Sequence, residues 1–190
     1  MMRRFGFLAV LAASLAGCGT SPTPDLYTLA AKPGPVVSTR KLSVELRRIG
    51  IAGYLDRPEI VRGTVDYRLH VAGNDRWGEP MAGMLDRVLT EDLVERLPQA
   101  AVFAESGAIS TKPDIVLEID IQRLDADADG TLVLLAQVAV RPDGQIARAS
   151  TIRLTQPIAA QPAGTAEAQV AAMSVALGQL ADRIADSIAH

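Results

Sequence analysis

The strongest regularity in the chain is a strict alternation of apolar and polar residues that begins at Ile115. Ile115, Leu117, Ile119 and Ile121 share one face, and Val116, Glu118, Asp120 and Gln122 share the other. That period of two is the mark of a half-buried strand. After Asp125–Gly130 it resumes with Leu132, Leu134, Ala136, Val138 and Val140. Arg141-Pro142-Asp143-Gly144 is a turn by its chemistry, because proline presets φ and glycine accepts positive φ. Ile152 and Leu154 then mark a third strand, so the pattern predicts an antiparallel meander. Upstream, Leu42, Val44 and Leu46 alternate with Lys41, Ser43 and Glu45. Shorter extended pieces are expected at Tyr27–Leu29, Glu59–Val65, Tyr67–Ala72 and Ala101–Ala104, with a loop over Ile49–Pro58.

Two segments change to a period of 3.6. One opens near Pro80, a residue suited to the first turn of a helix, with Glu79 beside its positive end. Met84, Leu85, Val88, Leu89, Leu93 and Leu97 give it a broad apolar face, and Pro98 stops it. The other starts near Thr165. It places Val170, Met173, Leu177, Leu180, Ile184 and Ile188 in one stripe, opposite Gln179, Asp182, Arg183 and Asp186. A helix of that kind owes most of its stability to packing, so it should lie on a sheet face. The fold class expected is a single α/β (α+β) domain, a mixed and mostly antiparallel sheet packed by two main amphipathic helices. No internal repeat and no second domain is visible.

The first residues obey a different logic. Met1-Met2-Arg3-Arg4 is cationic, Phe5–Leu15 carries no charge, and Leu15-Ala16-Gly17-Cys18 follows. A basic start, an apolar run too short to span a bilayer and small residues at a cleavage point make a secretory signal peptide. A cysteine directly after Leu-Ala-Gly resembles the bacterial lipobox. It implies a diacylglycerol on the Cys18 thiol, cleavage before it and acylation, such as palmitate, of the new amine. Residues 1–17 are therefore expected as a lipoprotein signal peptide, 18–25 as acylated cysteine and tether, and 26–190 as the domain. Buried methylenes are worth about 0.8 kcal/mol each, so one chain binds weakly while two or three hold firmly. Gly19 replaces the aspartate that retains some lipoproteins at the inner membrane, which implies an outer-membrane anchor facing the periplasm. Gly19–Pro24 is short, reaching about 20 Å when stretched.

Composition narrows the chemistry. The formal net charge of −3 becomes −5 once Arg3 and Arg4 are removed, and aromatics are few. Such a surface argues against nucleic acid or an anionic headgroup surface as the main partner. Cys18 is the only cysteine, which removes disulfides, thiolate metal sites and cysteine nucleophiles from the mature domain. Of two histidines, His190 is C-terminal and His70 sits in a strand-like stretch with nothing nearby to complete a catalytic set. Asp125, Asp127, Asp129 and Gly130 open like a calcium loop. Position 12, however, needs a carboxylate and holds Ala136, so an acidic hairpin connection fits better. No cofactor, metal or catalytic residue is expected, and the protein reads as a non-enzyme.

A polar-aromatic cluster remains outside the core pattern: Tyr54-Leu55-Asp56-Arg57-Pro58-Glu59-Ile60-Val61 and Asn74-Asp75-Arg76-Trp77-Gly78-Glu79-Pro80. Tyr, Trp and Arg dominate binding energetics, so Tyr54, Arg57, Arg76 and Trp77 are the expected partner contacts. The competing reading places Trp77 in the core and gives Arg57 or Arg76 local ion pairs. These two stretches, with Tyr27-Thr28-Leu29 and the closing helix, resemble the auxiliary lipoproteins of ABC-type intermembrane transport systems, the PqiC-like family. Gly78 stands where that family often has alanine. The resemblance implies a mixed sheet with two helices and a periplasmic role beside MCE-domain tunnel proteins and their inner-membrane transporter subunits. It casts the protein as a docking element, and a homo-oligomeric ring is compatible with a ring-shaped tunnel. The alternatives are a regulator of envelope biogenesis, such as a peptidoglycan-synthase activator, which normally needs a longer arm, and a periplasmic lipid carrier, which needs an open apolar cavity.

Overall fold

The alternating segments become the long strands of one mixed sheet. The computed structural model describes residues 22–65, 67–109, 111–159 and 165–189. The signal peptide, Cys18, part of the loop after Gln156 and His190 lie outside them. The strands are β1 (Asp25–Tyr27), β2 (Leu42–Leu46), β3 (Gly50–Ile51), β4 (Glu59–Val65), β5 (Arg68–Trp77), β6 (Ala100–Ala104), β7 (Ile115–Ala126), β8 (Thr131–Pro142) and β9 (Arg148–Pro157). Two helices complete the chain, α1 (Met81–Arg96) and α2 (Ala166–Ala189). Pro80 occupies the position before α1, and the helix ends just before Leu97-Pro98.

β7 is the hub. Along one edge it pairs antiparallel with β8, and β8 with β9, which is the expected meander. Its other edge is shared by three short parallel partners in succession. β2 meets Ile115–Leu117, β3 meets Asp120 and Ile121, and Gly63 of β4 meets Ala126. β6 extends the sheet beyond β2 in parallel. β5 turns back antiparallel on β4, and β1 lies parallel outside β5. Two expectations need adjustment. Gly50–Ile51 gives the expected loop a short strand, because those residues complete the edge of β7. β5 also runs on to Trp77, through residues expected to lie between elements.

Ile115, Leu117, Ile119 and Ile121 are buried, as are Leu132, Leu134, Ala136, Val138 and Val140. They meet the apolar stripes of α1 and α2, so both helices pack against the same core. α2 lies over β8 and β9 and reaches β4, while α1 contacts β6 and α2. The opposite sheet face keeps Glu118, Asp120, Gln137 and Arg141 at least partly open to solvent.

After β1 the chain crosses the helices as a strap. The Leu29 amide donates to Met84 Sδ at 3.2 Å, the Ala30 amide to Ser174 Oγ at 3.2 Å and the Lys32 amide to Asp92 Oδ1 at 2.8 Å. The Val37 amide closes it on the Arg96 carbonyl at 2.8 Å.

Candidate docking surface and the buried polar network

The four expected contact residues divide between interior and surface. Trp77 is a correction: it is only 6% exposed and belongs to the core. It ends β5 beside Tyr27, with its amide donating to the Pro58 carbonyl at 2.8 Å. Its backbone therefore joins the 52–58 loop to the sheet, while its indole is buried in the core. Tyr54 is half-buried, and its hydroxyl donates to Asp125 Oδ2 at 3.1 Å. Asp125 also accepts from Arg123 Nε at 2.6 Å. Burial first, then the Asp125 charge, pushes the Tyr54 hydroxyl far above the ordinary tyrosine pKa. Arg76 is exposed, and its guanidinium stands 3.9 Å from the Glu59 carboxylate across β4–β5. Arg57 is half-buried, and its Nε has no partner although it is buried. Arg57 and Arg76 thus remain at or near the surface.

A groove of about 610 Å³ lies over the uncovered sheet face. Ala139, Ala149 and Thr151 form its floor, with Arg47, Glu118 and Asp120 around it. Glu118 is bridged by Arg47 at 3.2 Å and Arg141 at 2.9 Å, which ties β2, β7 and β8 together on that face. The acidic run after β7 serves its hairpin. Asp127 accepts the amides of Asp129 at 3.1 Å and Thr131 at 2.9 Å, and Ala136 is buried within β8. Among the described residues no three acidic, histidine or cysteine side chains gather as a metal set. His70 is exposed on β5.

A second polar cluster escaped the sequence reading. Arg96 is 1% exposed, one of the largest fully buried side chains. Its Nε donates to Asp182 Oδ1 at 2.6 Å, its Nη1 to the Lys32 carbonyl at 3.0 Å and its Nη2 to the Gly178 carbonyl at 3.0 Å. Asp92, one turn earlier, stands 3.4 Å away. A signal was available. Leu85, Leu89, Asp92 and Arg96 recur at helical spacing, so two charges occupy the apolar stripe of α1.

Burial pushes the Asp92 carboxyl up to about 6, opposed by the Lys32 amide and Arg96. Its folded pKa therefore exceeds its unfolded value of 3.8. The fold holds this proton more tightly, so the stability Asp92 contributes is full below about pH 4 and is lost as pH rises through about 6. Asp92→Asn should remove that decline. Its melting temperature should gain on wild type as pH rises from about 4 through about 6 and hold that gain above. Parallel melting curves across that range would contradict it.

Known proteins agree with this architecture. No protein of curated function matches the sequence. An uncharacterised protein of known crystal structure superposes with a TM-score of 0.69 at 20% identity, covering 88% of this chain and 99% of its own. A Xanthomonas campestris protein of the DUF330 family follows at 0.65 and 17% identity, covering 88% and 95%. At such identities the likeness speaks for the fold. The family model for the ABC-type transport auxiliary lipoprotein component matches residues 27–185, from the end of β1 almost to the end of α2. The chain belongs to the family of ABC-type transport auxiliary lipoprotein components.

Proposed function

We propose that this protein is a non-catalytic docking lipoprotein of an MCE/ABC-type intermembrane transport system, held in the outer membrane by acyl chains on Cys18 and facing the periplasm. The observation that carries the reading is the family match over residues 27–185 directly behind Leu15-Ala16-Gly17-Cys18. The match names an auxiliary lipoprotein of a transport system. No helix among the described residues is long and apolar enough to cross a membrane.

Docking is favoured over carriage by the character of the groove over the open sheet face. It is open and ringed by Arg47, Glu118 and Asp120, which suits a protein partner better than an acyl chain. The contact surface in this reading is the one around Arg57 and Arg76, with Tyr54 and Trp77 as its supports. Rim arginines of this kind bind carboxylates of a partner by charge-assisted hydrogen bonds. The cargo of the system is lipid or another apolar organic compound.

Pull-down from native membranes tests both levels. Wild type should capture an MCE-domain protein, and a double Arg57→Ala, Arg76→Ala variant with unchanged melting temperature should capture much less. Trp77 is left intact, since truncating a buried tryptophan costs about 3–5 kcal/mol and would confuse folding with binding. Capture equal to wild type removes the two arginines from the interface. A wild type that brings down no MCE protein sinks the docking role.

A further inference from the structure

The direction in which the chain enters the sheet points its N-terminal side toward one end of the domain. β1 runs parallel to β5, with Asp25 beside Asp75. The Asn74 side-chain amide donates to the Thr23 carbonyl at 2.8 Å, so the chain before β1 still follows β5 there. Going back from Thr23 therefore leads toward the start of β5, where the β4–β5 hairpin has its tip. Thr23 is five residue steps from Cys18, a reach of about 17 Å at most. Gly73 is likewise five steps from Arg68, at the foot of the tip. An acylated Cys18 that continues along β5 thus just reaches the level of Tyr67, which brings the tip within reach of the bilayer.

Tyr67 is unusual in two independent ways. It is 104% exposed, and its φ of 64° is the left-handed conformation that costs a non-glycine residue about 1–2 kcal/mol. Val71, further along β5, is also exposed. Tyrosine prefers the headgroup zone, with its apolar body inward and its hydroxyl wet. Arg68 beside it is exposed and suits anionic headgroups. The neighbouring β7–β8 turn carries Asp127 and Asp129, with the Asp127 carboxylate committed to its own turn.

We infer that the β4–β5 hairpin tip, through Tyr67, is a membrane-contacting element that holds the domain upright on a phospholipid surface. The inference rests on acylation of Cys18 as proposed above. It places the β8–β9 turn, with Ile146 92% exposed, at the far end. β8 spans 12 residues between the two ends, about 37 Å at strand rise.

The test uses the full chain purified with its lipid and reconstituted in phosphatidylethanolamine–phosphatidylglycerol vesicles. Cys18 is the only native cysteine and its thiol is then blocked, so Tyr67→Cys, Arg68→Cys or Ile146→Cys supplies a single site for an environment-sensitive dye. With nitroxide headgroup lipids, dye at 67 or 68 should lose most of its emission and dye at 146 should keep it. Adding Tyr67→Gly to Arg68→Cys should restore part of that emission, since glycine accepts the left-handed backbone and only the ring is lost. Floating protein with no quenching at 67, equal quenching at 146, or no effect of Tyr67→Gly overturns the tip while the anchor stands. Protein that fails to float with the vesicles overturns the anchor, and the tip contact with it.

Discussion

Replacing Arg96 with methionine should destabilise the domain by about 3–5 kcal/mol, among the largest losses any single surface-preserving change could cause. The side chains are similar in length, so the cost is electrostatic. Asp92 would keep its burial and lose its cation. The carbonyls of Lys32 and Gly178 would lose their donor, leaving the strap and α2 without their shared bond to α1. Asp182 is partly solvated and would turn to water at little cost. Urea denaturation should show the midpoint falling with an unchanged slope. Adding Asp92→Leu should recover part of the loss, because an unpaired buried charge costs more than an apolar replacement of the whole pair. A loss below about 1 kcal/mol would mean that the network only fills space.

Gly63→Ala is the second large effect expected, at about 2–4 kcal/mol. Gly63 has φ of 155°, and a Cβ there would run into the Ala126 carbonyl oxygen. That oxygen is backbone at the junction where β4 joins the end of β7, so it cannot swing aside. Gly73→Ala is the control, since open space surrounds its Cβ position. Thermal denaturation should separate the two variants clearly. Equal melting temperatures would show that β4 and β7 are free to part at that point.

The two glycines also show where sequence reading stops. The strands were legible because Ile115–Ile121 and Leu132–Val140 repeat with period two, and the helices because α1 and α2 keep one apolar stripe. Pro80, Pro98 and the Pro142–Gly144 turn placed element ends from local chemistry. None of these signals is long-range. Nothing near Gly63 reveals that it will touch residue 126, and nothing near Gly34 reveals that the Arg96 guanidinium will fill the space its missing side chain leaves. The division of one β7 edge among β2, β3 and β4 is likewise a pairing of distant segments. Trp77 was placed with the surface cluster because the polar residues Asn74–Arg76 precede it. In the fold they lie on β5 as it passes outside β4, and the strand ends with Trp77 buried in the core.

The parallel pairing of β1 with β5 has a mechanical side. A tug on the tether pulls β1 along its own axis, so its hydrogen bonds to β5 are strained together in shear instead of opening one after another like a zipper. Behind it, the strap gripped by Met84, Ser174, Asp92 and Arg96 takes up whatever slack remains. Movement of the bilayer relative to a bound neighbour would then be passed to the helices as traction, with the domain acting as a stiff link.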